Sequence, residues 1–356
     1  MAKGECVSKS RRSKSTPLPK PEIHGRRARK RRHPVLVLTV CGYLAMLLLL
    51  WAIIHFVGER WWLAALILFG PRWVLAIPLA LLAPLALWRS PKLLWVLAIC
   101  VIVLAGPLMD LCIPWGRVFH SRGSGFQVRV LTCNTHANAI RKAELAQLID
   151  STQPQVVALQ EWSGGYDGPT LGEGKWYVLT DHELRVQSRW PIRKVGHIVS
   201  EGWAYGSAIH YEIQSPSGTI PFFALHLASP HNALESAVNL EDTAARQIEG
   251  NQAQRRQQSE DLSRAAQAAG ERVILAGDFN LPRDSEIYRD SFSTFEDAFS
   301  AGGFGFGWTY THHGTSTRID HVLSGIGWKC RRCWAAASVG SPHRPLIAEL
   351  ELIQRN

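Results

Sequence analysis

The chain is 356 residues long, which is enough for one or two globular domains, and its formal net charge is +10. That charge is divided unevenly: residues 1–115 hold 16 Lys and Arg against 4 Asp and Glu, whereas residues 116–356 hold 23 against 25. The C-terminal part has no basic surplus, which argues against tight non-specific binding of nucleic acid through clustered Lys and Arg.

The first 33 residues are rich in Lys, Arg, Ser and Pro and have almost nothing to bury, so we expect a disordered tail over residues 1–33. Its basic run, Arg26–Arg32, has two interpretations. It could be a nucleic-acid or nuclear-targeting patch, but its position directly before an apolar segment favours an anchor that fixes the orientation of a membrane protein.

Residues 34–115 form a predicted transmembrane region of about three helices. Residues 34–57 carry no charged side chain, exceed the roughly 20 residues needed to cross a bilayer, and start too late for a typical cleaved signal peptide. Two further spans are predicted at residues 73–88 and 93–113, although prolines interrupt both. The apolar segment Trp61–Phe69 is short, so we expect it to lie at the membrane surface or to form a shallow hairpin.

With three spans, the basic tail and the Arg89–Lys92 loop fall on the same side, which the positive-inside rule makes cytoplasmic. A linker over residues 116–125 then leads to a domain over residues 126–356 on the non-cytoplasmic side. The sequence thus predicts a multi-pass protein of the cell or inner membrane. A further crossing by Trp61–Phe69 would instead place the C-terminal domain in the cytoplasm.

In residues 126–356, short apolar runs rich in β-formers alternate with helical runs. Helices are predicted at residues 140–151 and 241–269, and the sparse apolar face of the longer one suits packing on a surface. Many strands with few helices predict an α+β fold with helices outside two sheets. The predicted strands are Gln127–Cys133, Gln155–Leu159, Trp176–Leu179, Val195–Val199, Ser207–Ile213, Pro221–Leu227, Val273–Ala276, Phe295–Phe299, Trp308–Tyr310, Arg318–Leu323 and Leu346–Leu352.

The segment Val273–Asn280 is the most informative stretch of this domain. Its apolar half predicts a buried strand that brings Asp278 and Asn280 to the strand end. Alternate side chains of an extended chain share a face, so the carboxylate and the amide point the same way while Phe279 turns into the core. This pair suits a metal-bridged phosphate and its attacking water. A simple strand-to-turn junction remains the alternative, because Asp, Asn and Gly all favour turns.

Other polar residues also stand at the ends of predicted strands, namely Asn134, Glu161, His226, Asp320 and His343. Carboxylate, amide and imidazole groups without a set of Cys ligands suit a hard cation such as Mg²⁺ or Mn²⁺, which can stabilise charge on a phosphate. Singly, each has a structural alternative: Glu161 could cap a strand, Asp320 could be a buried turn acid, and His226 could be a satisfied core histidine.

Several other polar groups are predicted to have no part in the chemistry. Asp181-His182-Glu183 and His312-His313 are expected in solvated turns, and Arg255 and Arg256 on the surface of the long helix. The pair Cys330 and Cys333 has zinc-like spacing, but no second pair completes four ligands. A disulfide or two ordinary thiols on a strand is therefore the favoured interpretation.

The order of these blocks along residues 127–352 resembles the endonuclease/exonuclease/phosphatase superfamily, which includes DNase I, apurinic endonucleases, sphingomyelinases and inositol-polyphosphate 5-phosphatases. The resemblance implies a four-layer α/β-sandwich of the DNase I type with a divalent-metal phosphohydrolase site at one edge. The blocks that carry the resemblance are Thr132–Asn134, Leu159–Glu161, Ser188–Ile192, Ala224–Leu227, Gly277–Asn280, Arg318–His321 and Ser341–Leu346.

The resemblance also implies a role for each matching residue. Glu161 would be the main metal ligand, and Asn134 would help to bind the metal or the phosphate. Asp278 would position or deprotonate the attacking water, and Asn280 would hold a phosphate oxygen. His226 would contact the phosphate or act as an acid. Asp320 would orient His343, which would be a second acid or base or a stabiliser of the transition state.

Two positions depart from the family pattern. Pro342 stands where the family usually has Asp, which puts a mechanism with a second metal in doubt, and His136 follows Asn134 where some nucleases carry an acid. The resulting hypothesis is a membrane-anchored, Mg²⁺- or Mn²⁺-dependent phosphohydrolase of the phosphodiesterase, nuclease or phosphatase type. Its substrate would be a nucleic acid, a phospholipid headgroup or a small phosphoester, and the sequence indicates no protein partner. A catalytically weak member serving as a membrane-bound scaffold is the alternative.

Overall fold

The computed structural model describes residues 33–115, 125–137, 139–163, 170–198, 207–239, 242–312 and 314–353. The predicted disordered tail over residues 1–33 and the predicted linker over residues 116–125 lie outside these ranges, except for His33 and Gly125.

The first described segment is almost entirely helical, as expected for long apolar runs. Its α-helices are α1 (Pro34–Ala52), α2 (Trp62–Phe69), α3 (Ile77–Arg89) and α4 (Leu94–Val103). Short π and 3₁₀ turns extend α1 as far as Arg60, start the third helix at Arg72, and extend the fourth from Pro91 to Leu108. Among the described residues, three helices are long and apolar enough to cross a membrane: Pro34–Arg60, Arg72–Arg89 and Pro91–Leu108.

Helix α2 is too short to be a further crossing. Its 8 residues span roughly 12 Å, whereas the bilayer core is about 30 Å thick. The helix stops before Gly70 and Pro71, a pair that interrupts helices. The predicted third span was extended too far, because the helix ends at Leu108 and Asp110 takes a left-handed φ of 55°. There the chain turns towards the C-terminal domain.

In the described part of the C-terminal domain, two six-stranded sheets and a separate hairpin are formed. The strands are β1 (Gln127–Asn134), β2 (Val156–Gln160), β3 (Tyr177–Asp181), β4 (Leu184–Ser188), β5 (Ile192–His197), β6 (Ser207–Ser215), β7 (Gly218–His226), β8 (Ile274–Asp278), β9 (Glu296–Asp297), β10 (Tyr310–His312), β11 (Thr315–Thr317), β12 (Asp320–Ser324), β13 (Trp328–Ala335) and β14 (Leu346–Leu352). One sheet has the order β13-β14-β1-β2-β4-β3, and the other has β5-β6-β7-β8-β12-β9. Strands β10 and β11 pair with each other, and Tyr310 of β10 also forms a single antiparallel bridge to His343.

Helices cover the outer face of each sheet and complete four layers. The covering helices are α5 (Lys142–Thr152) on the first sheet, and α7 (Ala244–Ala268) and α8 (Glu286–Phe292) on the second. Helix α6 (His231–Val238) packs on α7, and α9 (Ala298–Gly302) borders the core between the sheets. The inner faces of the two sheets meet in one apolar core that contains Val130, Tyr211 and Phe222. Outside the first sheet, Leu145 of α5 packs with Leu131, and outside the second sheet Leu262 of α7 packs with Phe223. The predicted four-layer sandwich is therefore confirmed.

Two predicted strands are mostly wrong. Of Trp308–Tyr310, only Tyr310 lies in a strand, because β10 covers Tyr310–His312. Only Glu296–Asp297 of the segment Phe295–Phe299 pairs as a strand, and α9 begins at Ala298. The Asp297 side chain accepts a hydrogen bond from the Ser300 backbone N–H, which is the usual way an aspartate caps a helix N-terminus. This cap starts the helix inside the segment that was predicted to be a strand.

The helical region, residues 33–115, is joined to the C-terminal domain by ion pairs. Glu59, in the 3₁₀ turn that ends the first long helix, pairs with Arg255 and accepts a hydrogen bond from the Ser285 hydroxyl. Arg255 is only 1% exposed, so its prediction as a surface charge was wrong. The partner that buries it comes from the distant segment after α1. Arg256 is half-buried and lies 3.3 Å from Glu286.

Further pairs connect the same two regions. Arg72 contacts Asp284 at 3.2 Å, Arg283 contacts Asp110 at 2.8 Å, and Arg318 also pairs with Asp110. The domain-side ends of all three long helices thus carry charges that face the domain. Their other ends lie together, since Pro34 and Leu36 share a cavity with Leu82 and Arg89. The three long helices therefore run alternately away from and towards the domain.

Candidate active site

Asn134 and Glu161 come from the adjacent parallel strands β1 and β2. Asn134 pairs in register with Gln160, so Glu161 follows at the strand exit, with a left-handed φ of 50°. The Asn134 Nδ2 donates hydrogen bonds to Glu161 Oε1 at 2.8 Å and to Asp278 Oδ2 at 3.0 Å. This amide connects the two sheets, because Asp278 belongs to the second one.

The orientation of Asn134 bears on its predicted roles. Its Oδ1 accepts a hydrogen bond from the His136 backbone N–H at 2.9 Å, so the amide nitrogen faces both carboxylates. In this orientation the amide oxygen points away from the site, and metal ligation by Asn134 would need the amide rotated by half a turn. His136, which had no assignment, has its Nδ1 3.9 Å from Glu161 Oε2.

Asp278 occupies the centre of the site because β8 lies between β7 and β12. It is in register with His226 of β7 on one side and with Asp320 of β12 on the other. Gly277 permits this close approach, since a Cβ there would lie 1.9 Å from the Leu225 carbonyl oxygen. Phe279 is fully buried, as its predicted inward orientation requires.

Asn280 is held beside Asp278 by two hydrogen bonds, each between a backbone group and a side chain. Its backbone N–H donates to Asp278 Oδ1 at 2.9 Å, and its Nδ2 donates to the Leu227 carbonyl at 2.8 Å. Its φ of 50° lies in the left-handed region, which Asn tolerates better than most residues. These contacts fix the amide at the edge of the cleft.

His343 and Asp320 form a buried dyad. The Nδ1 of His343 lies 2.9 Å from Asp320 Oδ2, and its Nε2 lies 3.8 Å from Asp278 Oδ2. Contact of Nδ1 with a carboxylate sets the ring orientation, so Nε2 is the nitrogen directed at the site. Ser341 holds the loop in place, because its hydroxyl donates to the Asn134 carbonyl and accepts from the His343 backbone N–H.

His226 contacts acids on both of its ring nitrogens. Nδ1 lies 3.1 Å from Glu183 Oε1, and Nε2 lies 3.8 Å from both Glu161 Oε1 and Asp278 Oδ2. Glu183 lies in a turn between β3 and β4, as predicted, but the expectation that it has no part in the site was wrong. No local sequence signal marks it, because its partner comes from a strand in the opposite sheet.

The neighbouring predicted turn residues behave differently. His182 is exposed in the turn between β3 and β4, and His312 is exposed on β10. Asp181, His182 and His197 approach closely enough to share a cation, but the Lys194 ammonium already lies 2.6 Å from Asp181 Oδ2. His313 lies outside the described residues. Cys330 and Cys333 are free buried thiols on β13, one of the two favoured interpretations.

Electrostatics favours protonated histidines in this site. Burial alone would lower the pKa of His226, but its hydrogen bond to Glu183 and the charge of Asp278 raise the pKa to about 9. Burial is likewise outweighed at His343, where the charges of Asp320 and Asp278 raise the pKa to about 9. Burial and the nearby Asp320 charge raise the pKa of Asp278, which makes it a stronger base than an exposed aspartate.

The predicted residues converge on one cleft of about 1630 Å³. Glu161, His226, Asp278, Asn280 and His343 line it, whereas Asn134 and Asp320 lie behind them and hold them in place. Tyr310 and Pro342 complete this end of the cleft. Pro342 presents no carboxylate where the family usually has Asp.

The donor set fits a divalent cation. Glu161 has the most open carboxylate of the three predicted site acids, with its side chain 27% exposed against 1% for Asp278. Four carboxylates, including that of Glu183, surround two imidazoles here, so the site is rich in oxygen ligands for a cation. Oxygen ligands of this kind suit Mg²⁺ or Mn²⁺. Which residues hold the metal stays a prediction.

Comparison with known proteins gives a family for residues 128–343, which match the sequence profile of the "Endonuclease/Exonuclease/phosphatase family". Comparison with curated proteins gave no match. Many solved structures are similar at low identity, and three of them serve as examples. An endonuclease/exonuclease/phosphatase family protein from Bacteroides thetaiotaomicron is 16% identical, with 65% of this chain and 100% of that chain covered and a TM-score of 0.48.

The other two are similar to the same extent. Truncated Caenorhabditis elegans TDP2 is 18% identical, with 64% of this chain and 98% of that chain covered and a TM-score of 0.47. The mannosyl-6-phosphatase from Bacteroides thetaiotaomicron is 16% identical, with 63% and 99% covered and a TM-score of 0.46.

Proposed function

The chain belongs to the endonuclease/exonuclease/phosphatase family, whose members are hydrolases of phosphoester bonds, and we propose that it is a membrane-anchored, divalent-metal-dependent phosphohydrolase. The observation that carries this proposal is the meeting of seven polar side chains from both sheets at one end of a single cleft. Apolar residues at this edge would stabilise the fold better than these polar groups do, because burying charged groups is costly.

The proposed mechanism assigns one task to each group. Glu161, with Asn134 if its amide is rotated, would hold a Mg²⁺ or Mn²⁺ ion, which would stabilise charge on the phosphate. Asp278 accepts a proton from the attacking water as the new oxygen–phosphorus bond forms, and its raised pKa suits that task. Asn280 positions a phosphate oxygen.

The two histidines act on the other oxygens of the phosphoester. Protonated His226 donates a hydrogen bond to a phosphate oxygen. His343, held by Asp320, gives a proton to the leaving oxygen as its bond to phosphorus breaks. Both roles require a protonated imidazole, which the raised pKa values provide at neutral pH.

Hydrolysis of bis-p-nitrophenyl phosphate by the full chain in detergent with Mg²⁺ tests the proposal. Asp278→Asn should reduce kcat at least about 100-fold, in the range typical for loss of general acid–base catalysis. EDTA should abolish activity, and added Mg²⁺ or Mn²⁺ should restore it. Asp290→Asn, which changes an exposed acid on α8, is the matched control. Unchanged turnover in the Asp278 variant would overturn the mechanism.

A catalytically weak scaffold is the second candidate, and Pro342 is the observation that favours it. It would be supported if the full chain binds Mg²⁺ in calorimetry yet hydrolyses neither the soluble diester, nor plasmid DNA, nor phospholipid vesicles.

We also propose that the catalytic domain lies on the non-cytoplasmic side of the membrane. The three long helices alternate in direction, so the end with Pro34 and Arg89 is opposite the domain, and the basic tail would remain in the cytoplasm. A topology reporter fused after Asn356 should give a non-cytoplasmic signal. A cytoplasmic signal would exclude this arrangement.

A further inference from the structure

The active-site cleft extends beyond the catalytic domain. Phe69, the last residue of α2 in the helical region, lines the same cleft as Glu161 and Asp278. The volume of the cleft is about 1630 Å³, which exceeds the roughly 300–1,000 Å³ typical of small-molecule sites. The cleft thus offers more room than a phosphate and a small leaving group would occupy.

Two walls of this cleft rest on the helical region. Helix α6 packs on α2, where Ala233 and Ala237 join Ala65 in an apolar cluster. On the other wall, the turn of the β10–β11 hairpin accepts a hydrogen bond at the Gly314 carbonyl from Trp73 Nε1, at 2.7 Å. The cleft between these walls therefore lies directly against the domain-side end of the helices that can cross a membrane.

The lining changes along the cleft from mainly charged to partly apolar. The catalytic end carries the carboxylates and imidazoles described above. Near α2 and α6 the apolar residues Phe69, Leu234 and Val238 line it beside polar ones such as Asn232 and Glu235, and Val238 is 72% exposed. A ligand with a charged phosphoester at one end and a hydrocarbon chain at the other would match both ends.

The position of α2 indicates where such a ligand comes from. This short apolar helix follows the first long helix at the level where that helix ends, and Trp61 and Trp62 at its start are both partly exposed. Tryptophans with this placement favour the boundary between lipid and water. An apolar chain would therefore reach the cleft from the bilayer and not from solution.

We propose that α2 is part of the substrate site and that the substrate is an amphiphilic lipid phosphoester, with its phosphate at Glu161 and Asp278 and its hydrocarbon between α2 and α6. The helical region is then a wall of the active site as well as an anchor. This inference rests on the proposed phosphohydrolase function.

Two synthetic diesters that differ only in chain length can test this. Methyl p-nitrophenyl phosphate and hexadecyl p-nitrophenyl phosphate have the same charge and the same leaving group. With the full chain in detergent micelles, we expect kcat/KM for the hexadecyl probe to exceed that for the methyl probe at least tenfold. Hydrolysis of both at equal efficiency would overturn the lipid assignment and leave the phosphohydrolase proposal intact, whereas hydrolysis of neither would overturn both.

Variants then test the apolar wall through the hexadecyl-to-methyl ratio of kcat/KM. Val238→Asp places a charge on an already exposed position, so folding should be unaffected, and Phe69→Ala removes the contribution of α2. Each should lower the ratio at least fivefold. Ile326→Asp, at an exposed apolar position in the turn after β12 and at the opposite end of the sheet, is the matched control and should leave the ratio unchanged. An unchanged ratio in both test variants would exclude the proposed wall.

Discussion

At the scale of single residues, the site depends on a few backbone positions as much as on its charged groups. Gly277 allows β7 and β8 to approach, which brings His226 and Asp278 into register. Glu161 and Asn280 each take a left-handed backbone conformation at a strand exit. Such conformations cost free energy and are found where the surrounding structure holds them in place, often at functional sites.

The Asp320–His343 dyad gives a prediction for the pH dependence of activity. Asp320 raises the pKa of His343, so the imidazole stays protonated up to a pKa of about 9. Asp320→Asn removes that charge and should bring the pKa of His343 down towards its ordinary value of 6.5. The acid form is then lost at lower pH, and the alkaline limb of the kcat/KM profile should move down by more than one pH unit.

Proton NMR titration of the His343 ring in metal-free protein provides a direct check on the same variant. Asp290→Asn, which alters an exposed acid far from the dyad, should leave both the titration and the rate profile in place. An alkaline limb that does not move in Asp320→Asn would mean that a different group supplies the proton.

At the scale of secondary-structure elements, α9 shows how buried charge supports a local fold. Asp297 caps this helix, contacts the His321 ring at 3.0 Å, and lies 3.6 Å from the Arg318 guanidinium. Burial alone would raise the pKa of Asp297, but the charge of Arg318 and the hydrogen bond from His321 hold it well below 3.8. Its ionised form is therefore preferred in the folded protein.

This depressed pKa predicts how stability changes in acid. Between the folded pKa of Asp297 and the ordinary value of 3.8, the unfolded chain binds more protons than the folded one. The contribution of Asp297 is therefore complete above that range and is lost as the pH falls through the folded pKa. Each unit of depression contributes about 1.4 kcal/mol.

Circular dichroism during thermal unfolding in detergent, from pH 2 to pH 7, measures this contribution. Asp297→Asn should lower the Tm at pH 7 and weaken the fall of Tm below pH 4. Asp261→Asn, at an acid of α7 without a buried cation partner, should retain the parent slope. Equal slopes for the parent and Asp297→Asn would contradict the assignment.

The elements that the sequence predicts well are those whose apolar pattern agrees with their final environment. The predicted strand at Leu346–Leu352 coincides with β14, and the one at Gln127–Cys133 falls within β1. Strand β4 was missed, because its alternating positions Arg185 and Gln187 are polar yet buried. Arg185 stacks on the Trp162 ring at 4.7 Å, a contact between separate elements that no local pattern announces.

The same distinction applies to the site. Asp278 and Asn280 follow an apolar run, so alternation along a strand was enough to predict that the two point the same way, whereas the grouping of Asp320 with them came from the family resemblance. The contact of Glu183 with His226 and the position of Phe69 in the cleft depend on packing between distant segments. Such contacts are set by tertiary packing, which can override local sequence signals.

At the scale of the whole molecule, the decisive feature is the buried charge between the helical region and the catalytic domain. Glu59 and Arg255 are each 1% exposed, and their pair is reinforced by the Ser285 hydroxyl. A buried ion pair need not add much stability compared with apolar residues, but removal of one partner leaves an uncompensated charge. The pair therefore makes the docking of the two regions specific.

Removal of one partner of the Glu59–Arg255 pair should reduce the free energy of unfolding far more than removal of both. Arg255→Met leaves the Glu59 carboxylate buried without a cation and should reduce the free energy of unfolding by about 3–5 kcal/mol. In the double variant Glu59→Gln with Arg255→Met, no charge is stranded, so most of that loss should be recovered. Arg264→Met, on the exposed face of the same helix α7, should change stability by less than about 1 kcal/mol.

Thermal unfolding in detergent and limited proteolysis between the helical region and the domain measure these effects together. If the pair fixes the docking, Arg255→Met should both lower the Tm and speed cleavage after residue 115, and the double variant should reverse both changes. Because α2 forms a wall of the cleft, looser docking should also lower the hexadecyl-to-methyl ratio while the catalytic residues stay in place. A lower Tm with an unchanged ratio would show that the ion pair stabilises the domain without setting its position on the helices.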